Sequence, residues 1–557
     1  MALFVARLFY MQVIQHDRYV AEAKQEQVKS LVVKADRGEI YALDNGEPVK
    51  LVLNENVYTV FADPMEVKDP AAITKAVKEV AGGTAEKGIE KLVLDKPSRY
   101  RILAKNVTRK QAKLLQDKDL AGVGFQKTTR RIHPEGKLAS QVLGFVNAEG
   151  VGQYGIEEGL NEELTGKDGL LKSVTDVRNV PLTVGGDNVR VPAEDGKNVV
   201  LSIDRNIQAF TEKTLFDEMK KIGATKGSVI VMDPQSGKVL SMANLPDYNP
   251  EKYTKVMNGE AFNNSVITAP YEPGSVIKTF TVATALDQGA ITPTSRFNNT
   301  DSIKVEDIVI KNANLGITGN ITMQEALSWS LNTGMVKIAQ RLGDGENITH
   351  EARKTMYNYF HNKFKLGEAT GIELAGERSG NIVSPDEAQG NAVRYSNMTF
   401  GQGMNPTMLQ VAAGFSSIVN GGRYFKPTVV AGEVTSDGNF KPEENKLLDG
   451  NTISPESSAT ARKMIREARN QFYSDGDKKG YDIGGKTGTS ETLVDDEYSE
   501  DQTVGTYLGY GGDTAPKYVI MVQASAPGKP LGGRDVEPIF KAISNWTIDY
   551  MKLQPKG

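Results

Sequence analysis

The stretch YEPGSVIKTFTVATALDQG, residues 271–289, decides how this chain is interpreted. Its Pro-Gly pair marks a turn, and the run that follows is typical of a helix that stops at Gly289. Ser275 would lie in the first turn with Lys278 three residues later, so that both side chains share one face. Free N–H groups at a helix N-terminus suit a developing oxyanion, and the amine can accept the hydroxyl proton. A nucleophilic serine is one interpretation, and a capping serine beside a solvated lysine is the other.

A second candidate is Ser330-Leu331-Asn332, within the segment EALSWSLNTGM. It comes at the end of a helical run, where Asn and Gly commonly close helices. On its own, the segment is best explained as a helix C-terminus followed by a turn.

The third candidate is GGKTGTS, residues 484–490, on a predicted strand. Glycine inside a strand weakens it and often marks the close approach of a ligand or another backbone. Lys486 offers a fixed positive charge to a carboxylate, and Thr487 and Thr489 offer hydroxyl donors. The text GYDIGGKT also matches the phosphate-binding pattern G-x-x-x-x-G-K-T, but the residues after it do not begin a helix, as that pattern requires. A glycine-rich turn is the simpler alternative.

The order of the three segments favours the catalytic interpretation of each over the structural one. S-x-x-K, S-x-N and K-T-G follow one another, with 55 residues from Ser275 to Ser330 and 156 from Ser330 to Lys486. Serine β-lactamases and penicillin-binding proteins carry this set in this order. The middle motif has leucine where aspartate is the usual residue, at its least chemical position.

With these motifs the sequence resembles the class B penicillin-binding proteins, and the resemblance covers nearly the whole chain. RGEIY (37–41) and residues 131–169 are similar to the non-catalytic pedestal of that family, and NVVLSIDRNIQ is similar to the start of its transpeptidase domain. The text FGQGMNPTMLQVAAGFSSIVNGG (400–422) is closer to the septal, cell-division branch than to the elongation branch.

The resemblance implies an α+β fold. The expected catalytic part is a serine β-lactamase/transpeptidase-like domain, with an antiparallel sheet and a helical subdomain, preceded by an elongated α+β pedestal. We expect the outer end of a truncated membrane anchor at 1–15, the pedestal at 16–195 and the transpeptidase domain at 196–557.

The resemblance also implies a role for each motif residue. Ser275 attacks the carbonyl between the last two D-alanines of a stem peptide, and Lys278 acts as its base, with a pKa lowered by burial and by a neighbouring lysine. Ser330 relays a proton toward the leaving group, and Asn332 holds the donor backbone. The terminal carboxylate of the donor is bound by the K-T-G strand, through Lys486, Thr487, Gly488 and Thr489. The N–H groups of Ser275 and Thr489 form the oxyanion hole.

The implied partners follow from this chemistry. They are peptidoglycan stem peptides ending in D-Ala-D-Ala, β-lactam antibiotics that mimic that end, the cytoplasmic membrane, and a polytopic glycan polymerase with other divisome proteins. No metal or organic cofactor and no nucleic acid is expected. The catalytic domain is expected outside the cytoplasm, on a single-pass anchor. A D,D-carboxypeptidase, a β-lactamase of the same fold and a non-catalytic β-lactam sensor are the alternatives.

Composition excludes several other classes. The 557 residues carry a formal net charge of -4, which gives no reason to expect nucleic acid. There is no cysteine, so disulfides and thiolate catalysis are ruled out. The four histidines, at 16, 133, 350 and 361, form no H-E-x-x-H pattern, and no serine lies in G-x-S-x-G. The apolar segment at 1–14 is shorter than the roughly 20 residues that span a bilayer.

Local patterns predict the main elements. Residues 51–64 are interpreted as a strand, an Asn-rich turn and a second strand, and residues 69–81 and 108–117 as helices. Asp204 is expected to cap a helix that ends at Gly223. A hairpin is predicted at 228–244, three strands at 480–490, 504–512 and 517–526, and a final helix from Pro538.

Overall fold

The computed structural model describes residues 2–16, 18, 28–174, 189–494 and 497–556. These residues form two compact units. The first unit takes in described residues within 1–40, 52–132 and 162–198, and the second takes in those within 41–51, 133–161 and 199–557. Two segments that come before residue 195, namely 41–51 and 133–161, therefore lie in the second unit.

The core of the first unit contains three antiparallel strands that pack against helices. Residues 53–62 of the strand Glu47–Ala62 pair antiparallel with Val123–Ile132, and its C-terminal half pairs with Arg101–Thr108. The helices Pro70–Ala81 and Arg109–Gln116 confirm the two predictions for this region. Their first turns are capped by the Asp69 carboxylate and the Thr108 hydroxyl. The other elements of this unit are Ala2–Phe9, Tyr10–Ile14, Val28–Val33, Gly82–Thr84, Ile89–Leu92, Asn161–Thr165, Gly169–Val174 and Val189–Val191.

The strand–turn–strand prediction for residues 51–64 is wrong, because one 16-residue strand runs through this region. The asparagines that suggested a turn pair within the sheet: Asn54 lies opposite Arg131, and Asn56 lies opposite Thr129. The Asn54 amide also donates to the Arg37 carbonyl at 2.5 Å. Because no glycine follows these asparagines, the tight type I′ turn is not favoured there.

The second unit is built around a five-stranded antiparallel sheet. We number its strands β1 (Lys226–Met232), β2 (Val239–Leu245), β3 (Asp482–Val494), β4 (Glu497–Gly512) and β5 (Pro516–Ser525). Their order in the sheet is β2-β1-β5-β4-β3, so that β3 is an edge strand. The predicted hairpin and the three predicted C-terminal strands are confirmed. Strands from distant parts of the chain meet in this sheet, which is the α+β arrangement expected from the sequence.

Helices surround this sheet. In chain order, we number eight of them α1 (Arg205–Ile222), α2 (Lys278–Asp287), α3 (Met323–Ser328), α4 (Asn332–Arg341), α5 (Ala392–Met398), α6 (Met408–Val419), α7 (Pro455–Phe472) and α8 (Gly533–Tyr550). Residues of α1 and α8 share one buried cluster with the sheet, including Leu215, Ile520 and Phe540. Every residue of α6 is buried, so this helix is a core element of the unit.

The predicted ends of α1 are confirmed. The Asp204 carboxylate accepts the backbone N–H groups of Asn206 at 2.9 Å and Ile207 at 3.0 Å. Gly223 ends the helix with a φ of 65°, which is a left-handed conformation that glycine adopts without strain. The prediction for α8 is wrong at its start, because the helix begins at Gly533 rather than at Pro538. The Asp535 carboxylate accepts the Gly532 N–H at 2.7 Å and caps this earlier start.

The remaining elements of the second unit are short. They are the strands Ile40–Asp44, Phe145–Val146, Gly152–Gln153, Asn198–Asp204, Arg296–Asn299, Ser302–Val305, Ile308–Lys311, Gly319–Thr322, Tyr424–Phe425, Val430–Val434, Phe440–Pro442 and Leu447–Asp449 and the helical segments Ser140–Leu143, Gly155–Gly159, Pro250–Lys255, Gly259–Phe262, Ser265–Thr268, Gly274–Ile277, His350–Tyr357 and Asn358–Lys363. Within the described residues of the whole chain, no helix combines the length and the apolar character needed to cross a bilayer.

Candidate active site

The Ser275 turn lies directly against strand β3. Residues Gly274–Ile277 form a single 3₁₀ turn that leads into α2, so that Ser275 comes at the start of a helical segment. Gly274 has a φ of 63°, and a Cβ atom there would lie 2.4 Å from the Thr489 carbonyl oxygen. A Cβ on Gly488 would lie 2.7 Å from the Pro273 carbonyl oxygen. Glycine is therefore required on both sides of this contact, which brings the turn that carries Ser275 next to the backbone of the K-T-G strand.

Lys278 is fully buried, and its amine is held by the loop between α3 and α4. The Nζ atom donates to the Ser330 carbonyl at 2.5 Å, to the Ser330 hydroxyl at 3.1 Å and to the Asn332 amide oxygen at 2.8 Å. The Asn332 amide nitrogen donates in turn to the Lys311 carbonyl at 2.9 Å, which fixes its orientation. The S-x-x-K and S-x-N motifs, 52 or more residues apart in the chain, thus meet at one amine.

Ser330 connects the second lysine to the first. Its backbone φ is 60°, an unusual value for serine, and this turn places the hydroxyl within 3.1 Å of Lys278 Nζ and 2.9 Å of Lys486 Nζ. Residues held in sparsely populated backbone conformations are frequent at functional sites. Through one hydroxyl, the structure brings together all three sequence motifs.

The K-T-G residues line the cleft from strand β3. Lys486 is 5% exposed, and its amine also contacts the Thr487 carbonyl at 3.2 Å. The Thr489 hydroxyl accepts the backbone N–H of Gly533 at 3.3 Å. Thr487 and Thr489 lie on the same face of the strand because successive side chains alternate. This face presents hydroxyls beside a buried cation, which is a chemical environment suited to a carboxylate.

Burial changes the proton affinity of both lysines. The pKa of Lys278 lies well below its ordinary value because burial disfavours the ammonium form and the charge on Lys486 repels it. This is the direction that the sequence predicted. Burial also lowers the pKa of Lys486, to about 7. An amine with a lowered pKa can act as a base near neutral pH, as a nucleophilic serine requires.

The spacing of three residues suggests a direct hydrogen bond between the Ser275 hydroxyl and the Lys278 amine, but the structure shows no such bond. Although Lys278 is three residues away, its amine is hydrogen-bonded to Ser330 and Asn332. Ser275 makes no side-chain hydrogen bond to any residue in the parts of the chain that the structure describes. Catalytic hydrogen bonds are often long in ligand-free enzymes and shorten when the substrate binds.

The cleft that contains these residues has a volume of about 1260 Å³. Several of the residues that line it were not identified from the sequence. They are the aromatic residues Trp329, Phe400, Phe472 and Tyr473, the loop residue Gln402, and residues 532–535 at the start of α8. The Gly532-Gly533 pair was the one available signal, because adjacent glycines before a helix often allow close backbone approach.

A buried ionic cluster around Arg469 stabilises the packing of the K-T-G strand. Arg469 of α7 is fully buried and binds both oxygens of Asp477, at 2.8 and 2.6 Å, and the Glu537 carboxylate at 2.9 Å. It also donates to the Tyr507 hydroxyl. Tyr507 lies opposite Thr487 in the β3–β4 pair, and a Cβ on Gly485 would lie 2.5 Å from its hydroxyl oxygen. Arg469 therefore fixes the Tyr507 side chain, which packs against β3 at Gly485.

We expect Arg469→Met to lower the free energy of unfolding of the second unit by about 3 kcal/mol, because it removes the buried cation from Asp477 and Glu537, of which, within the described residues, only Glu537 keeps a second cation, Lys541 at 3.2 Å. Chemical denaturation can be followed by the fluorescence of Trp329 and Trp546, which both lie in this unit. Lys463→Met, at an exposed position of the same helix, is the control and should change stability by less than about 0.5 kcal/mol. Equal stabilities for the two variants would contradict the assignment.

Comparison with known proteins agrees with this geometry. Residues 227–545 match the penicillin-binding protein transpeptidase domain, and residues 32–201 match the penicillin-binding protein dimerisation domain. The chain is 29% identical to stage V sporulation protein D of Bacillus subtilis, over 99% of this chain and 84% of that protein. It is 27% identical to the peptidoglycan D,D-transpeptidase FtsI of Escherichia coli K12, over 100% of this chain and 90% of that protein.

Solved structures show the same fold. A peptidoglycan synthetase from Bifidobacterium adolescentis superimposes with a TM-score of 0.75 at 24% identity, over 95% of this chain and 98% of that one. Penicillin-binding protein 3 from Mycobacterium tuberculosis, complexed with aztreonam, gives 0.70 at 23% identity, over 95% of this chain and 98% of that one.

The fold and the three convergent motifs define a class of enzymes that use an active-site serine and a lysine instead of a Ser-His-Asp triad. Within that class, the chain belongs to the penicillin-binding protein family, in the class B form that joins a dimerisation domain to a transpeptidase domain. The family and the fold class predicted from the sequence are confirmed.

Proposed function

We propose that this chain is a peptidoglycan D,D-transpeptidase that cross-links stem peptides and is acylated by β-lactams. The observation that carries the proposal is the Ser330 hydroxyl, which joins the buried amines of Lys278 and Lys486 beside the Ser275 turn. Relatives named peptidoglycan D,D-transpeptidase along the full length of the chain support the same activity.

Acylation of Ser275 is the first half of the proposed reaction. Neutral Lys278 accepts the hydroxyl proton as Oγ attacks the carbonyl between the last two D-alanines. The N–H groups of Ser275 and Thr489 stabilise the oxyanion, and such donors contribute about 3–4 kcal/mol each in other enzymes. The C–N bond then breaks, and Ser330 passes the proton to the departing amine. The products are the acyl ester on Ser275 and free D-alanine.

Deacylation returns the enzyme to its starting state. A neutral amine from a second stem peptide attacks the ester carbonyl and gives its proton to Lys278. A C–N bond forms, the C–Oγ bond breaks, and the proton returns to Ser275. During acylation, Lys486 and the hydroxyls of Thr487 and Thr489 bind the donor carboxylate, with Gly488 allowing the close approach, and this carboxylate then leaves on the free D-alanine. Asn332 contacts the donor backbone through its amide.

Location and partners belong to the same proposal. The similarity to a sporulation protein and to FtsI supports a role in septal wall synthesis. A glycan polymerase and other division proteins are partners that the family resemblance alone implies. Exposed apolar side chains on the first two helical segments, including Phe4, Val13 and Ile14, support attachment to the cytoplasmic membrane with the catalytic domain outside. The predicted domain limits at 1–15, 16–195 and 196–557 are retained as part of this proposal.

The test is to mix the full chain with benzylpenicillin and, separately, with a D-Ala-D-Ala peptide and an acceptor amine. We expect a stable mass increase equal to that of the intact drug, located on the peptide that contains Ser275, and release of D-alanine with formation of a new amide. Unmodified protein with unconsumed drug would support a non-catalytic sensor. Rapid drug hydrolysis without an adduct would support a β-lactamase instead.

A further inference from the structure

Helix α4 begins in the catalytic centre without a cap from its own N-cap residue. Its first residue is Asn332, and the preceding Leu331 has the extended backbone of an N-cap position but makes no side-chain capping bond. Leucine has no oxygen that could accept the free N–H groups of the first turn. The aspartate that usually occupies this position of the motif could accept them within the same segment. In this chain, another part of the fold supplies the cap.

Asn312 supplies it, directly after the strand Ile308–Lys311. Its amide oxygen accepts the backbone N–H of Thr333 at 3.0 Å, and the Thr333 hydroxyl lies 3.1 Å from the same oxygen. Thr333 is the second residue of α4, and its N–H is one of those that an N-cap side chain normally accepts. Asn312 is 4% exposed and Thr333 is 2% exposed, so that the cap is shielded from water.

Asp301 fixes the direction in which the Asn312 amide points. The Asp301 Oδ1 atom accepts the Asn312 amide nitrogen at 3.2 Å, and the Asp301 carbonyl accepts the Asn312 backbone N–H at 3.0 Å. The other carboxylate oxygen of Asp301 accepts the Gly316 N–H at 2.6 Å. Because the amide nitrogen of Asn312 is directed to a carboxylate, its amide oxygen is the atom that faces α4.

The same loop holds the side chain of Asn332. The Lys311 carbonyl accepts the Asn332 amide nitrogen at 2.9 Å, and the Asn332 amide oxygen accepts Lys278 Nζ at 2.8 Å. Two consecutive loop residues, Lys311 and Asn312, therefore hold two consecutive residues of α4. Loss of the cap would release the first turn of α4, and with it the amide that contacts the Lys278 amine.

We propose that Asn312, oriented by Asp301, is a positioning residue of this enzyme, which caps α4 and thereby holds the Asn332 amide against the Lys278 amine. Asn312 borders the main cleft, but its amide is directed to Asp301 and Thr333. It therefore acts through Asn332 and takes no part in bond formation or proton transfer. The inference rests on the proposed function, because it takes Asn332 to contact the donor backbone.

The rate of acylation by benzylpenicillin, measured on the full chain by intact-protein mass spectrometry, tests the proposal. Asn312→Ala should lower the second-order rate constant about tenfold, because loss of a helix cap changes a local equilibrium by about that factor. Labelling should still reach completion. A merely structural role would instead leave part of the protein unlabelled while the rest reacts at the wild-type rate. Asn320→Ala, at an exposed position of the strand Gly319–Thr322, is the control and should react like the wild type.

A double-mutant cycle shows whether Asn312 acts through Asn332. When Asn332→Ala is already present, adding Asn312→Ala should lower the rate constant by less than about twofold, because no amide remains to be positioned. A further tenfold loss in that background would show that Asn312 acts by another route, and the proposal would be wrong.

Exchange of the two side chains tests the role of Asp301. Asn312→Asp alone places two carboxylates side by side and should slow acylation. Adding Asp301→Asn restores an amide beside a carboxylate and leaves an oxygen for the Thr333 N–H, so that the exchanged pair should react faster than either single variant. An exchanged pair no faster than the single variants would contradict the assignment. The exchange also decides the question if Asn312→Ala does not fold.

The possible failures are distinct. If Asn312→Ala is labelled to completion at the wild-type rate, this proposal is wrong while the proposed function stands. If the wild-type chain itself forms no adduct with benzylpenicillin, the proposed function is wrong, and this inference is wrong with it.

Discussion

Ser275→Ala should form no covalent adduct with benzylpenicillin and release no D-alanine above background. Loss of the nucleophile costs at least about 10⁴-fold in other serine enzymes, because the remaining groups bind the substrate but form no ester. Ser275 is half-buried, and its hydroxyl makes no hydrogen bond within the described parts of the chain, so the variant should unfold at the same denaturant concentration as the wild type. Intact-protein mass spectrometry and a D-alanine assay measure both effects.

Ser474→Ala is the matched control for this variant. Ser474 is also half-buried and donates to the Asn470 carbonyl at 3.1 Å, but it lies outside the main cleft. The Ser474→Ala variant should be acylated on Ser275 at the wild-type rate. If Ser275→Ala formed the same drug adduct as the wild type, the nucleophile would be another residue.

Lys278→Met should keep the fold and lower the rate of acylation by about 10²–10⁴-fold, the usual contribution of a general base. Methionine fills a similar volume, although it leaves the oxygens of Ser330 and Asn332 without this donor. The second-order rate of adduct formation with benzylpenicillin measures the loss. Lys278→Arg separates the two roles of the residue, because arginine keeps the charge and the donors but cannot lose a proton. Wild-type acylation in Lys278→Arg would exclude Lys278 as the base.

The pH dependence of acylation should have two limbs. The base works only when neutral, so kcat/KM should rise with pH through the lowered pKa of Lys278 and then level off. The pKa of Lys486 is lowered to about 7, and above that pH the free enzyme loses the cation that binds the donor carboxylate. We therefore expect kcat/KM to fall again above about pH 7. In Lys278→Met the rising limb should disappear.

Local chemistry explains which elements could be predicted from the sequence. The caps of α1, the β1–β2 hairpin and the C-terminal strands depend on neighbouring residues, and the structure confirms them. The turn predicted at 51–64 failed because the asparagines there pair with residues about 75 positions away. A turn signal depends on neighbouring residues, whereas the conformation of residues 51–64 depends on pairing with a strand that is distant in the sequence.

The site was predictable in content but not in geometry. Three motifs named the residues, yet spacing along the chain could not indicate that Ser330 joins two lysines, because that contact depends on a turn with positive φ. The cluster around Arg469 left no motif in the sequence. It consists of residues from separate helices and strands that become neighbours only in the folded unit.

The tight packing of the K-T-G strand limits how this enzyme can evolve. Gly485 lies against Tyr507 and Gly488 against Pro273, and any side chain at either position would enter occupied space. Every single-base change that replaces glycine adds such atoms. Heritable variation that reduces inactivation by antibiotics while preserving wall synthesis should therefore accumulate at other residues that line the cleft, such as Gln402 and Phe472.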